Sequence, residues 1–266
     1  MSIRAVSLAL VSLVMVTGAA AGAADLAAGD DARLDQARTT FRAVYPVVER
    51  GDWSTAAQQE SLLRPYVLWP DLRAAWFRAK LSTAAHGEID AFLDSYGVLK
   101  PARELRYRYA LHLAGEGHLD DFLAIYQQYY QGLDIARLDC IALQAELEAG
   151  REKRIVSRAL ELWAVGSSQS DECDPVFANL KSRGLLTDEH YAERFALAIE
   201  ARRFRLARYL SGPLDPSFRV EANAWLDAES DPAAFVTSTD REDSALTRRQ
   251  MVYAIERLGY RDPVEA

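Results

Sequence analysis

Apolar residues at helical spacing run through the chain from Ala32 onward, and this pattern constrains the fold more than any other feature. One stripe at three- and four-residue steps lies in the stretch ARLDQARTTFRAVYPVVERGDW, formed by Leu34, Ala37, Phe41, Val44 and Val48. Gly51 then ends this helix. Alternating runs of β-branched residues are nearly absent, so the sequence offers no candidate strands. The pattern predicts an all-α protein.

Three longer segments share one design, in which a helix ends on an alanine-rich face, the chain turns and a second helix begins. They are YALHLAGEGHLDDFLAIY, IALQAELEAGREKRIVSRALELW and FALAIEARRFRLARYL. Small side chains at Ala110, Ala142 and Ala198 allow the helices of each hairpin to approach closely. Their unequal spacing indicates a degenerate repeat rather than a regular tetratricopeptide array. We predict an α-superhelix, or solenoid, of helical hairpins with degenerate tetratricopeptide-like repeats; a globular helical bundle is the alternative.

The first residues have the layout of a secretory signal peptide. A positive charge at Arg4 precedes an apolar run from Ala5 to Val16, and the small residues Ala21-Gly22-Ala23 follow. The apolar run is too short for a membrane-spanning helix, which needs about 20 residues, and no second run of that length occurs. The predicted division is a signal peptide over residues 1–24, a linker over residues 25–32 and a helical domain over residues 33–266. The mature protein is expected to be exported, without a membrane span.

Export bears on the two cysteines, Cys140 and Cys173, because disulfides persist in oxidising compartments. We predict a structural disulfide between them. It would close a loop of about 34 residues and stabilise the fold by roughly 4 kcal/mol on the chain-entropy model. A reactive thiol or a metal site is the alternative, but two cysteines without a nearby histidine pair make a poor zinc site.

Charge narrows the range of partners. The formal net charge of −8 argues against nucleic acid, which requires a basic footprint, and against an anionic membrane surface. No basic patch interleaved with aromatic residues is present in the sequence.

The sequence contains no motif for catalysis or for a cofactor. The histidines His86, His112, His118 and His190 do not form H-E-x-x-H or another ligand spacing, and each is predicted to be a surface or capping residue. Neither a G-x-S-x-G nucleophile elbow nor a glycine-rich phosphate loop occurs. We therefore predict no metal, no cofactor and no catalytic residue.

Aromatic residues are concentrated in a few segments. The stretch RPYVLWPDLRAAWFR contains Tyr66, Trp69 and Trp76, whose rings are candidates for stacking against sugar faces. Packing between the helices of a hairpin is the alternative role. Trp163 ends a helix just before AVGSSQSDEC and is predicted to pack over the disulfide.

One segment resembles a known family. The stretch LWAVGSSQSDECDPVFANLKSRGLLT is similar to part of the N-terminal superhelical domain of the soluble lytic murein transglycosylases. The shared positions are Leu162, Trp163, Gly166, Ser168, Gln169, Cys173, Asp174 and Phe177. The family's other cysteine lies one hairpin upstream, which matches Cys140. The segments LLRPYVLWPDLRAAWFR and YAERFALAIEARRFRLARYLSGPL also fit the family order, so the resemblance runs from about Asp35 to Leu214.

The resemblance implies a role in peptidoglycan turnover in a Gram-negative periplasm. Those enzymes cleave the glycan between N-acetylmuramic acid and N-acetylglucosamine with a single glutamic acid in a separate, lysozyme-like C-terminal domain. The hallmark of that domain is Glu-Ser followed later by Gly-Leu-Met-Gln. Here Glu60-Ser61 and Glu229-Ser230 lack the second motif, so neither pair is assigned a catalytic role. The expected partners are peptidoglycan glycan strands or a separate catalytic domain, and Tyr66, Trp69 and Trp76 are the candidate glycan contacts.

Three readings of the function follow. The first is the superhelical part of a transglycosylase-like protein without its catalytic domain, incomplete at its C-terminal end. A fragment is expected to leave Leu246, Val252 or Ile255 unburied on a last helix from about Ser244 to Leu258. The second is a stand-alone periplasmic α-solenoid that binds a protein partner. The third is an enzyme whose site has no recognisable motif.

Overall fold

Helices account for the secondary structure throughout the described part of the chain. The computed structural model describes residues 19–238, 240 and 242–261, in which fifteen α-helices and one 3-10 turn occur and no strand is found. The all-α prediction is confirmed. Of the predicted signal peptide, residues 1–18 lie outside the described residues. No helix among the described residues is both long enough and apolar enough to cross a membrane.

The chain divides into two compact units, one ending at His112 and one beginning at Leu113. The first unit contains five helices and most of a sixth: α1 (Ala19–Glu49), α2 (Ser54–Gln58), α3 (Glu60–Leu63), α4 (Trp69–Ala79), α5 (His86–Tyr96) and α6 (Lys100–Gly115). The second contains the end of α6 and nine further helices: α7 (Leu119–Tyr129), α8 (Ala136–Glu148), α9 (Glu152–Trp163), α10 (Asp174–Ser182), α11 (Asp188–Glu200), α12 (Phe204–Ser211), α13 (Pro216–Ser230), α14 (Pro232–Thr237) and α15 (Ala245–Arg261).

Helix α1 organises the first unit. Val44 and Val48 are buried in a core shared with Leu63 of α3 and Leu72 of α4. Leu34, expected on the same stripe, is exposed instead. Helix α1 also includes residues 25–32, for which the sequence predicted a linker.

The core of the second unit is built mainly from helices α8 to α13. Ala142 of α8 and Ala198 of α11 are buried, as close packing within the hairpins requires. Gly150 joins α8 to α9 with a φ of 70°, a conformation that glycine adopts without steric cost. The turn from α11 to α12 uses Arg202 at a φ of 55°, so this hairpin lacks the glycine found in the other.

A buried polar network joins α7, α8 and α9. Asp139 of α8 is only 1% exposed, and its two carboxylate oxygens accept hydrogen bonds from Tyr126 Oη at 2.6 Å and Arg158 Nη2 at 2.8 Å. Burial, together with the bond to Asp139, raises the pKa of Tyr126 well above its usual range. Because a buried carboxylate is tolerated only when paired, the network fixes how these three helices meet.

The last helix packs on α13 and α14 through Ala254, which shares a small core with Ala228 and Phe235. Val252 and Ile255 are exposed on its other face, whereas Leu246 is partly buried against the larger core. The structure thus places two of the three residues named for this helix in solvent.

Candidate functional site

Three tryptophans of the first unit form a cluster, which we call the tryptophan cluster: Trp53, Trp69 and Trp76. The ring of Trp53 lies edge-on to Trp69 at 5.8 Å between centroids and tilted against Trp76 at 5.6 Å. Trp69 is 8% exposed and belongs to the core, whereas Trp53 and Trp76 are half-buried. Two of the three rings therefore offer some surface to a ligand.

Two cations lie against these rings. The guanidinium of Arg73 is 4.9 Å from the Trp53 centroid and 4.6 Å from that of Phe77, and Lys80 Nζ is 5.6 Å from that of Trp76. Burial lowers the pKa of Arg73, and the carboxylates of Glu88 and Glu60 offset part of this effect. The cluster thus combines aromatic faces with hydrogen-bond donors, a combination that suits polar, ring-shaped ligands.

Tyr66 lies apart from the tryptophan cluster although it is close in sequence. Its ring is 5.6 Å from Phe41 of α1, and it lines an open cavity of about 290 Å³ with Arg33, Leu34 and Pro65. The exposed Leu34 forms part of this cavity wall, which accounts for its departure from the buried stripe. The structure therefore brings Trp69 and Trp76 together through Trp53 and places Tyr66 in a separate cavity.

Sequence reasoning missed Trp53. It follows the helix-ending Gly51, outside the aromatic segment that was singled out, and stands alone in its stretch. The sequence feature that could have indicated its role is its position just after the end of a helix, where a large ring can pack against the next helix. The role of Tyr66, Trp69 and Trp76 as glycan contacts stays a prediction.

Cys140 and Cys173 form a disulfide, with their Cα atoms 4.9 Å apart, and both are fully buried. Cys140 lies in α8 and Cys173 in the 3-10 turn Asp171–Cys173 that precedes α10. Gln144 Nε2 donates to the carbonyl of Glu172 at 2.5 Å, and Arg137 Nε donates to the Glu172 carboxylate at 2.7 Å. The covalent link and these two bonds join the α8–α9 hairpin to the segment after it.

Trp163 lies in the same core as the disulfide, surrounded by rings and one cation. Its ring is edge-on to Phe177 and to Tyr191, at 5.1 Å between centroids in each case. The guanidinium of Arg194 stacks over the indole at 4.2 Å, and the indole Nε1 donates to the His190 carbonyl at 3.2 Å. Arg194 is only 5% exposed, and burial lowers its pKa. Stacking on Trp163 compensates part of the cost of burying that charge.

The loop after Trp163 is held against α11. Gln169 Nε2 donates to the Leu162 carbonyl at 2.7 Å, and Arg194 Nη2 donates to the Ser167 carbonyl at 3.3 Å. Gly166 lies so close to α11 that a Cβ atom there would overlap the Leu197 carbonyl oxygen and approach the Ala201 Cβ to 3.1 Å. The Trp, Gly and Gln of this segment each have a packing role.

Replacing Gly166 by alanine should lower the free energy of unfolding by about 1–3 kcal/mol, because a methyl group inserted against backbone forces a shift of the loop or of α11. Chemical denaturation followed by circular dichroism measures this change. Gly87→Ala is the matched control, since no atom lies within 4 Å of the added Cβ and the residue is helical. Equal stability of the two variants would show that the loop does not pack on α11 as described.

The two Glu-Ser pairs have structural surroundings. Both carboxylate oxygens of Glu229 are engaged, one by the hydroxyl of Tyr253 and the other by Arg257 Nη2 at 2.9 Å. Burial and the bond to Glu229 raise the pKa of Tyr253. Glu60 lies in the first turn of α3. Glu229 thus joins α13 to α15.

The histidines do not converge on a metal site. His190 Nδ1 accepts from the backbone N–H of Thr187 at 3.2 Å and so caps α11, and the His86 ring lies edge-on to Tyr109. Within the described ranges, no three His, Cys, Asp or Glu side chains lie close enough together to hold a metal ion.

Sequence and structure comparisons find similarity to lytic transglycosylases. No family model matches the chain. It is 24% identical over 82% of its length to the protein named soluble lytic murein transglycosylase of Escherichia coli K12, of which it covers 33%. The structure also aligns with that of lytic transglycosylase Slt of Pseudomonas aeruginosa, determined as an inactive mutant. The TM-score is 0.67 at 27% identity, and the alignment covers 85% of this chain and 36% of the other.

The 70-kDa soluble lytic transglycosylase of Escherichia coli aligns in the same way, with a TM-score of 0.68 at 22% identity over 86% of this chain and 37% of the other. The chain therefore spans about a third of the length of the curated relatives it matches. These findings confirm the predicted fold class and the resemblance to the N-terminal region of the soluble lytic murein transglycosylases.

Proposed function

We propose that this chain is the helical N-terminal part of a lytic transglycosylase-like protein, exported to the periplasm, where it takes part in peptidoglycan turnover. The observation that carries the proposal is the 27% identity to lytic transglycosylase Slt across 85% of the chain, combined with a TM-score of 0.67. The cleavage chemistry is assigned to a separate catalytic domain, and this chain is assigned the binding and positioning of wall material.

Glycan contact is proposed at the half-buried rings of Tyr66 and Trp76. Tyr66 lines an open cavity beside Arg33, and Trp76 has Lys80 next to its ring, so each aromatic face has a donor for sugar hydroxyl groups close by. Trp69 is buried and contacts the ring of Trp53, which in turn contacts Trp76. An aromatic face with a few polar groups at its edge is the usual composition of a small-molecule subsite.

Sedimentation with purified sacculi tests this proposal. The purified chain should pellet with sacculi, and Tyr66→Ala and Trp76→Ala should each weaken binding about fivefold to tenfold, the effect of losing one aromatic contact. Tyr260→Ala is the control, because Tyr260 is an exposed tyrosine outside both candidate surfaces. Circular dichroism shows whether each variant keeps its helices.

Two results would contradict the proposal. Failure of the wild-type chain to pellet with sacculi would favour the alternative of a helical module that binds a protein partner. Release of anhydro-muropeptides by the chain alone, detected by mass spectrometry, would show that a catalytic site lies on these helices and not in a separate domain.

A further inference from the structure

A cationic cavity lies in the second unit, whereas the residues assigned to glycan contact belong to the first. Its volume is about 400 Å³, within the range of ligand sites. It is lined by Ser168, Arg203, Arg205, Leu206 and Tyr209, which we call the arginine cavity. Ser168 belongs to the loop after Trp163, and the other four residues lie at the turn into α12 and along that helix.

Arg203 and Arg205, the two arginines of this cavity, are both exposed. Within the described residues, neither Arg203 nor Arg205 has a carboxylate within ion-pair distance or a side-chain hydrogen bond, and the cavity lining contains no acidic residue. The neighbouring Arg202 differs, because it pairs with Glu256 at 3.2 Å. The chain has 39 acidic and 31 basic residues. Against this acidic background, two arginines that line one cavity and have no paired carboxylate form a local positive surface.

Arg194 adds a third positive charge next to the loop that supplies Ser168 to the cavity. Its Nη2 donates to the carbonyl of Ser167, next to Ser168 of the cavity lining. Burial lowers the pKa of Arg194, and Tyr209, Tyr191 and the carboxylate of Asp174 offset part of this effect. Arg194 is 5% exposed, no carboxylate in the described part of the chain lies within ion-pair distance, and its Nε has no hydrogen-bond partner. Asp174 acts on this guanidinium from beyond ion-pair distance, so the charge of Arg194 is offset only in part and still adds to the positive potential beside the cavity.

Apart from Ser168, the rest of the lining is apolar or aromatic. Tyr209 is 68% exposed and Leu206 is half-buried, so a ligand that reaches the arginines also contacts a phenol ring and an aliphatic side chain. Guanidinium groups bind carboxylates through paired N–H donors. The matching ligand carries a carboxylate next to a small aliphatic group, which describes an acidic peptide better than a bare inorganic anion.

We propose that the arginine cavity binds a carboxylate of a short peptide and, given the proposed function in the cell wall on which this step rests, a free carboxylate of a peptidoglycan peptide stem. The chain then holds wall material at two kinds of position, with glycan at aromatic rings of the first unit and peptide at arginines of the second.

The test uses isothermal titration of the purified full chain with a synthetic stem tetrapeptide that has free carboxylates. Replacing both arginines, as R203Q/R205Q, should raise the Kd about tenfold or more, because two charge-assisted hydrogen bonds are lost. Amidating the carboxylates of the peptide should weaken binding to the wild type equally. The matched control is R103Q/R108Q, which removes the same charge from two exposed arginines of α6.

An unchanged Kd for R203Q/R205Q, equal losses in R103Q/R108Q, or equal binding of the amidated peptide would overturn the proposal. Displacement of the peptide by inorganic phosphate, at phosphate concentrations equal to the Kd of the peptide, would also overturn the proposal. The cavity would then be a general anion site. Sacculus sedimentation, run in parallel, separates the two proposals. If the chain pellets with sacculi but does not bind the peptide, only the proposal for the arginine cavity is refuted. If it binds the peptide but does not pellet, the proposed wall function is refuted and the cavity remains a peptide site.

Discussion

Replacing Trp163 by alanine should lower the free energy of unfolding of the second unit by about 3–5 kcal/mol, the range for deleting a large buried aromatic side chain. Trp163 is 4% exposed and contacts Phe177 and Tyr191 on its edges. The loss also removes the face on which Arg194 stacks at 4.2 Å. The Nε of that guanidinium already has no hydrogen-bond partner. Without the indole, the cost of burying the charge would be offset even less.

Two companion variants make the Trp163 measurement specific. Trp163→Phe keeps an aromatic face for Arg194 and loses only the indole bond to His190 and some volume, so it should cost about 1–2 kcal/mol. Arg194→Met in the Trp163→Ala background should recover part of the lost stability, because it removes the uncompensated charge. All are compared by urea denaturation. A cost below about 1 kcal/mol for Trp163→Ala would contradict the packing described.

The sequence predicted the helical hairpins well, for a physical reason. Turns at Gly51 and Gly150 need positive φ angles, and glycine at a helix end indicates this directly. The turn at Arg202 adopts the same region without glycine, so only the apolar spacing on either side predicted it. Helical periodicity is a local property, which is why it could be read from one sequence.

The candidate sites were less predictable because they depend on contacts between distant positions. Trp69 and Trp76 lie in one helix, yet the sequence does not tell which ring faces the core; the structure buries Trp69 and leaves Trp76 half-exposed. Arg194 lies one hairpin after Trp163 in the sequence. Helical periodicity does not predict that its guanidinium stacks on the indole of Trp163. The arginine cavity likewise brings Ser168 to α12 through the fold and not through sequence proximity.

Removal of the disulfide is the second change with a large expected effect. The C140A/C173A variant should lose roughly 4 kcal/mol, because the unfolded chain regains the entropy of an open loop of about 34 residues. For a unit of this size the midpoint of thermal unfolding should fall by about 10 °C. Both sulfur atoms are fully buried, so the wild type should resist mild reductant and approach the stability of the variant only after reduction under unfolding conditions.

Hydrogen exchange shows where the loss of this disulfide acts. The backbone amides of residues 164–172 should exchange faster first, since that loop would then be held mainly by the bonds of Gln169 and Arg194. The C140A/C173A variant also provides an internal comparison, because α1 to α5 lie in the other unit and should keep their exchange rates. An unchanged melting temperature, with both thiols of the wild type titrating as free beforehand, would refute the disulfide. If the melting temperature falls while residues 164–172 stay protected, the bond stabilises the unit through the unfolded chain alone and the packing of Trp163 and Gly166 suffices to hold the loop.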